Sequence, residues 1–455
     1  MRIAAVARSV LWFRRDLRLA DHPALTEAAR LAGDRDVLAL FVVDPALWVP
    51  AGDNRRAFLL ACLRSLDADL GGRLVVRHGD PAAIVPTMVE EVGATTVVVT
   101  ADFGPYGTRR DDAVESSLAE RGCSLQRVGS PYAIQPGVVL NGSGQPYKVF
   151  TPFSKAWLAH GWPAPLPAAA NVRWATAPSD PLPPAPAHAA ALPVAGEAAA
   201  QVAAEAFLAD RLAGYDEARD RPGVEGTSRL SPYLKWGCIH PRQLMAQLGD
   251  DPADRTFRAE LCWREFYADV LHHRPETARL AFNPAMAVME VDPPSADDGF
   301  EDWTQGRTGF PIIDAGMRQL LAEGWMHNRV RMLVASFLVK DLHLDWTRGA
   351  RWFMQHLTDG DLASNQHGWQ WVAGTGTDAS PYFRIFNPVT QGQRFDPEGA
   401  YVRRWLPELA GVTDRFVHRP WDDPAGPPSG YPLPIVDHAA EREESLRRYA
   451  EVRSG

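Results

Sequence analysis

Over the first 130 residues, short runs of β-branched and aromatic residues alternate with stretches whose apolar positions recur every three or four residues. Ser9–Phe13, Asp36–Val43, Arg73–Arg77 and Thr95–Val99 are short and rich in Val, Leu and Phe, as buried strands are. Between them Pro23–Ala32, Arg55–Leu70 and Pro81–Val92 carry the periodicity of amphipathic helices. This alternation predicts an α/β region: a doubly wound parallel sheet with helices on both faces. No GxGxxG follows the first strand, so an ordinary dinucleotide site is not expected there.

The pattern then breaks. Pro163–Pro193 holds nine prolines in 31 residues and cannot form a regular element. From residue 197 onward the grammar is helical, with apolar periodicity over Ala198–Leu212, Thr256–His272 and Gly324–Leu342. The expected organisation is an α/β domain over 1–130, a linker over 131–196 that is Pro/Ala-rich in its second half, and a large all-α domain over 197–455. There is no internal repeat.

Composition narrows the class. A chain of 455 residues is too long for one ordinary core, which agrees with two domains. Hydrophobic residues at 46% and charged residues at 23% mark a globular protein. No apolar run reaches membrane-spanning length and no signal peptide opens the chain, so a cytoplasmic protein is expected. Cys62, Cys123, Cys238 and Cys262 lie far apart without a CxxC pair, which argues against a disulfide framework or a metal site. A net charge of −9 leaves nucleic-acid contact to a local basic patch. Ten of the 15 tryptophans lie from Trp236 onward, a concentration that ordinary core packing does not require.

Four segments offer chemistry. In Glu225–Gly237 (EGTSRLSPYLKWG), Ser231 before Pro232 has the form of an N-cap, and Thr227 and Ser228 add hydroxyls at that positive helix end, where phosphate binds well; a plain capped helix has the same residues. In Phe257–Pro275, Glu260 and Trp263 share a helix face, setting a carboxylate beside a surface that can stack a nucleobase. In Gly324–Asp341, Asn328 and Met332 share a face flanked by Arg329 and Arg331, a base-edge reader with phosphate-binding neighbours or simply a solvated helix. Leu357–Phe386, dense in Gly, Asp, Asn and Trp, reads as a loop region lining a site; Asp359 and Asp361 suit sugar hydroxyls, a ring N–H or Arg331, and Trp369 and Trp371 face different surroundings.

Taken in order, LWFRRDLRLxD, TSRLSPYLKWG, ELxWREFY, GWMHNRxRM, KDLxxDW, DGDLAxN, WQW and GTDASPYFRIFNPxxQ resemble the DNA photolyase/cryptochrome family, and within it the class I cyclobutane pyrimidine dimer photolyases of microbes. The likeness runs from Leu11 to the C-terminal RRWLPEL and YPLPIVDH, nearly the whole chain.

The resemblance implies FAD, active as FADH⁻, bound in the helical domain. Thr227, Ser228, Arg229, Leu230 and Ser231 match pyrophosphate anchors, and Tyr215, Arg264, Arg331, Asp359, Gly360 and Asp361 match other FAD contacts. Asn365 matches the residue beside flavin N5. Glu260 and Asn328 match the groups that bond a flipped-out dimer; Trp263, Trp371 and Met332 match the cavity walls. Arg219, Arg329, Arg384 and Gln391 match positions toward the DNA. The implied reaction is light-driven repair of UV-damaged DNA, single- or double-stranded, by electron transfer from excited FADH⁻ to the dimer, in a monomeric lyase without metal or membrane contact.

Two positions depart from the pattern. Trp369 and Trp346 match the inner two members of an electron-transfer tryptophan chain, but position 293, where the outer one belongs, is proline. Phe103–Asp111 resembles the stretch that holds an 8-hydroxydeazaflavin antenna more than the folate type, yet Gly104 stands where an acidic contact is common. The alternatives are a cryptochrome-like photoreceptor and a (6-4) photoproduct photolyase, the latter relying on a cavity histidine pair for which only His327 is a neighbour.

Overall fold

The computed structural model describes residues 8–34, 36–169, 171–295, 299–377 and 384–454. Five strands, β1 (Arg8–Phe13), β2 (Val37–Val43), β3 (Leu74–His78), β4 (Ala94–Val99) and β5 (Ser124–Arg127), form one parallel sheet in the order β3-β2-β1-β4-β5. The register pairs Leu11 with Ala39 and with Val98, so β1 is central and every one of its side chains is buried from Ser9 to Phe13. That explains the unbroken apolar runs: a parallel strand covered on both faces has no polar side to show. Helices Pro23–Ala32 and Pro81–Val92 fall where the periodicity put them, and Asp53–Asp69 begins two residues early.

Sequence reading missed β5 and the helix Pro105–Ala119 before it. That helix is amphipathic only over Gly107, Arg110, Asp111, Val114 and Leu118, two of which are charged and yet buried. Polar residues on an inward face erase the signal. The 131–196 segment includes a helix, Phe150–His160. Beyond it the Pro/Ala stretch runs extended along the sheet edge, with Ala175 N–H donating to Val37 O at 2.9 Å and Asp180 N–H to Val76 O at 2.9 Å. It then reaches the helical part, where Ala191 N–H donates to Ala322 O at 2.7 Å.

From Glu197 the chain is helical. Helices Glu197–Asp210 and Pro252–His273 press Phe207, Phe257 and Phe266 into the same core as Leu11, Phe41 and Phe58. A second core gathers Trp303, Ile313, Phe337, Phe353 and Trp369 among helices Pro311–Glu323, Asn328–Lys340, Trp346–His356 and Leu362–Ala373. Glu265, fully buried, clamps the two halves. Its carboxylate accepts from Ala133 N–H, from Ile134 N–H at 3.1 Å and from Trp157 Nε1 at 2.7 Å.

The segment expected as a loop, Leu357–Phe386, contains a 12-residue helix, Leu362–Ala373. Asp361 caps it through Ser364 N–H at 3.2 Å, and its buried Asn365, His367 and Gln370 each bond a neighbouring backbone carbonyl. Polar composition misled the periodicity reading because these side chains bond carbonyls instead of water. Residues 378–383 of the GTDASPYFRIFNP motif lie outside the described residues.

Candidate active site

Two carboxylates organise a cradle between helices. Asp359 Oδ2 accepts from Arg331 Nη2 at 2.8 Å and from the Ser231 hydroxyl at 2.6 Å. Ser231 is therefore not the N-cap: it is the first residue of the six-residue helix Ser231–Trp236, which follows Leu230, and its hydroxyl is drawn to the carboxylate. Asp361 lies 2.8 Å from Arg15 and 3.6 Å from Lys235. Burial pushes the Asp361 pKa up, but Lys235, Arg15 and Arg264 outweigh it and hold the carboxyl well below the usual range. The same crowding, burial first and Arg15 next, brings Lys235 down to about 7. Gly360 between the two aspartates is tight: a Cβ there would lie 2.5 Å from Arg55 Nη1.

Around this cradle stand the other expected cofactor residues. Arg264 donates to the carbonyls of Pro131 and Leu234 and lies over Tyr132 at 4.5 Å. Thr227 and Ser228 precede Arg229, whose φ of 52° turns the chain toward helix Ser231–Trp236. Arg229 itself pairs with Glu323 at 3.1 Å and lies over Trp325 at 4.3 Å, so its guanidinium is already engaged. Leu230 is buried, and Tyr215 packs edge-on against Phe207 and Phe257. Asn365 is buried on helix Leu362–Ala373.

The residues fit a flavin nucleotide. Asp359 Oδ1 is buried with no hydrogen-bond partner among the described residues, which leaves an acceptor for a ring N–H or a sugar hydroxyl. Arg264 and Arg331 supply the cations that a pyrophosphate or reduced ring needs nearby.

The second wall uses the same helices. Arg219 lies 2.7 Å from Glu260. Burial pushes the Glu260 pKa up, and Arg219 offsets this only in part; Arg219 pairs with Glu260 and its chain neighbour Asp220 with Arg329, which brings helices Pro252–His273 and Asn328–Lys340 to one space. Arg329 pairs with Asp220 at 2.8 Å and lies over Phe395 at 4.5 Å. Asn328 is exposed at the start of its helix, with Met332 one turn on. Trp371 is half-buried with the Arg384 guanidinium over it at 5.6 Å, and Gln391 is half-buried on helix Pro388–Phe395. Trp263 stacks flat on Phe150, centroids 3.6 Å apart at 6°, so one of its faces is taken. Phe150 carried no sequence signal, because its partner is distant in the chain.

His327 caps helix Asn328–Lys340, its Nδ1 accepting from Arg329 N–H at 3.2 Å, and burial lowers its pKa to about 4. It is a structural acceptor and not a cavity acid.

Trp369 is buried edge-on to Trp303 at 6.2 Å and to Phe353 at 5.1 Å. Helix Trp346–His356 approaches it at Gly349, where a Cβ would stand 2.1 Å from the Trp369 ring. Trp346 thus begins the helix that packs on Trp369, while Trp303, not expected in this role, touches it directly.

A further cavity of about 410 Å³ opens at the carboxyl ends of the strands, beside β1 and β4 where strand order reverses. Such switch points are where doubly wound sheets hold ligands. Trp12, Trp48 and Tyr106 offer aromatic surface, and Arg14, Arg110 and Asp102 supply charge. Gly104 leaves no acid at its own position, but its N–H fixes Asp102 Oδ1 at 3.1 Å, and Gly107 leaves room for that carboxylate, which a Cβ would meet at 2.2 Å. Asp361 and Gly360 line the far end, so this cavity and the cradle adjoin.

A family model described as DNA photolyase matches residues 9–171, and one described as the FAD binding domain of DNA photolyase matches 257–451. The chain is 40% identical to the deoxyribodipyrimidine photo-lyase of Halobacterium salinarum over 98% of its length and 99% of that protein. Its fold superposes on a bacterial class III photolyase from Agrobacterium tumefaciens with a TM-score of 0.92 at 36% identity, covering 100% of both chains. An archaeal photolyase from Sulfolobus tokodaii with two FAD molecules superposes with a TM-score of 0.84 at 28% identity, over 98% of this chain and 100% of that one.

Proposed function

The chain belongs to the DNA photolyase family, and on that footing we propose that it repairs cyclobutane pyrimidine dimers in UV-damaged DNA, single- or double-stranded, under light. The carrying observation is that two helices each serve both walls. Pro252–His273 presents Arg264 to the cradle and Glu260 and Trp263 to the opposite space; Asn328–Lys340 presents Arg331 to the cradle and Asn328 and Met332 beyond it. Cofactor and substrate are thereby held on adjacent faces of the same rigid elements.

Arg264, Arg331, Asp359, Asp361 and Asn365 hold FAD, with the Thr227–Ser231 turn at its phosphates. Bound there in reduced form, FAD would on excitation lend the electron that opens the cyclobutane ring and would take it back once the bases separate. The protein positions the dimer. Base-directed enzymes, photolyases among them, take their target out of the duplex. The face of Trp263 away from Phe150 and the ring of Trp371 flank the extruded bases, and Met332 packs against them. Glu260, protonated more readily than an exposed carboxyl, donates to a base carbonyl; Asn328 supplies a second hydrogen bond. Arg219, Arg329, Arg384 and Gln391 form the rim that meets the DNA backbone, which is how a net-acidic chain binds a polyanion.

The cavity at the carboxyl ends of the strands holds an antenna chromophore of the 8-hydroxydeazaflavin type, with Trp12, Trp48 and Tyr106 as aromatic walls and Asp102 as its carboxylate. Mass spectrometry of the extracted pigment distinguishes this from a folate or a second flavin. We take the protein to act in the cytoplasm and as a monomer.

The test is purified protein with a thymine-dimer oligonucleotide in blue light and in darkness. Light-dependent restoration of thymines supports repair. Binding without restoration favours a cryptochrome-like photoreceptor.

A further inference from the structure

The amide of Asn365 is turned by its chain neighbour. Asn365 Nδ2 donates to the Ala350 carbonyl at 3.1 Å and to Gln366 Oε1 at 2.9 Å. Gln366 Nε2 donates in turn to the Ala278 carbonyl at 2.8 Å. Ala278 and Ala350 contribute backbone oxygens, which accept and never donate. Reversing Gln366 would set its oxygen against Ala278 O and its nitrogen against Asn365 Nδ2. Reversing Asn365 would set Oδ1 against Ala350 O. Both amide orientations are therefore fixed by chemistry, and both Nδ2 protons are consumed within the protein. Asn365 Oδ1 makes no hydrogen bond among the described residues.

The Ala278 carbonyl is itself held. Gln370 Nε2 donates to Thr277 O at 2.8 Å, Gln370 Oε1 accepts from Phe282 N–H at 2.8 Å, and His367 Nε2 meets the Thr277 hydroxyl at 2.9 Å. Two polar side chains of helix Leu362–Ala373 thus clamp the segment 277–282 with three hydrogen bonds, and that segment orients Gln366.

We propose that Gln366 is a positioning residue that holds Asn365 Oδ1 toward the flavin as a fixed acceptor, so that the site favours flavin carrying a proton at N5. This rests on the placement of Asn365 beside N5 given above. An N5 without a proton is an acceptor and meets Oδ1 lone pair to lone pair; N5–H donates to it. An asparagine amide can by itself present either its donor or its acceptor. The Gln366 lock removes the donor option.

The test titrates N5 protonation by visible absorption of the one-electron-reduced flavin in FAD-loaded parent, Gln366→Met, Gln366→Glu and Asn365→Ala proteins. Gln366→Met, similar in length but without an acceptor oxygen, is expected to lower N5 proton affinity on the order of tenfold, the effect of one misdirected hydrogen bond. Gln366→Glu, whose carboxyl still accepts from Nδ2 and when protonated donates to Ala278 O, is expected to restore most of it. If Gln366→Met matches the parent while Asn365→Ala does not, the role of Gln366 is overturned. If neither shifts, the placement of Asn365 is wrong. Should Gln366→Met lose its flavin, the parent decides by itself: with ¹⁵N-asparagine labelling, Asn365 Nδ2 keeps its chemical shift on reduction, and a large change would show the amide turning and end the proposal.

Discussion

Arg219 holds the Glu260 carboxylate at 2.7 Å, yet burial still leaves that carboxyl with a raised pKa. The pair is thus poised between an ion pair in the free site and a protonated acid facing substrate. A base carbonyl accepts only from the protonated form, so dimer affinity should fall as pH rises through the Glu260 pKa. Glu260→Gln, a permanent donor, should remove that limb, keep FAD bound and lower the repair quantum yield, because an amide stabilises a developing anion less well. Arg219→Ala removes the offset and should move the limb to higher pH. Quantum yield and dimer affinity across a pH series check this; an unchanged yield in saturated, fully reduced Glu260→Gln would refute the role.

Trp263 has one face on Phe150. Trp263→Ala should weaken dimer binding by roughly 1–3 kcal/mol, the value of one base–aromatic stack. Phe150→Ala leaves the opposite face in place and should cost affinity less while lowering the melting temperature. Equal losses in both variants would mean the dimer uses the Phe150 side.

Asp361 stands between two cations, Arg15 and Lys235. Asp361→Asn leaves them buried and facing each other, at a cost of roughly 2–3 kcal/mol, toward the low end of such losses because Arg15 is partly solvent-screened. Because the folded pKa is depressed, this stabilisation is complete above the unfolded value of about 4 and fades as pH falls below it. Chemical denaturation of parent and variant at neutral and acid pH should show the two curves converge in acid. FAD retention should drop in parallel.

Gly349 is required by Trp369. Gly349→Ala places a methyl 2.1 Å from that ring and 2.5 Å from Leu338, both in a packed core. Overpacking of this kind costs about 1–3 kcal/mol, which thermal melts would read. Tryptophan fluorescence should shift with it; an unperturbed spectrum would mean that the helix Trp346–His356 yields instead of the ring.

Pro293 offers no oxidisable ring where an outer relay belongs. If Trp369 passes a hole on, Trp303 adjoins it at 6.2 Å, but Trp303 is fully buried and its Nε1 donates to Val334 O at 3.0 Å, so an external reductant does not meet it. Photoreduction of oxidised flavin should be inefficient, with normal repair after chemical reduction. Transient absorption decides: a long-lived, solvent-reachable tryptophan or tyrosine radical at high yield contradicts it, and Trp352, half-buried and stacked on His356 at 4.0 Å, is where to look.

By itself the sequence determined the parallel sheet, the helical half and the helix faces that carry Glu260 with Trp263 and Asn328 with Met332. Each of these depends on side-chain period within one segment, which is local information. The tertiary structure alone decided who meets whom. Phe150 covers Trp263, Arg15 and Lys235 hold Asp361, and Ala278 orients Gln366. These partners lie tens to hundreds of residues apart, so no spacing rule links them. Buried polar groups are satisfied by whatever the fold brings near, and that choice hides helices such as Leu362–Ala373 from periodicity while it builds the site.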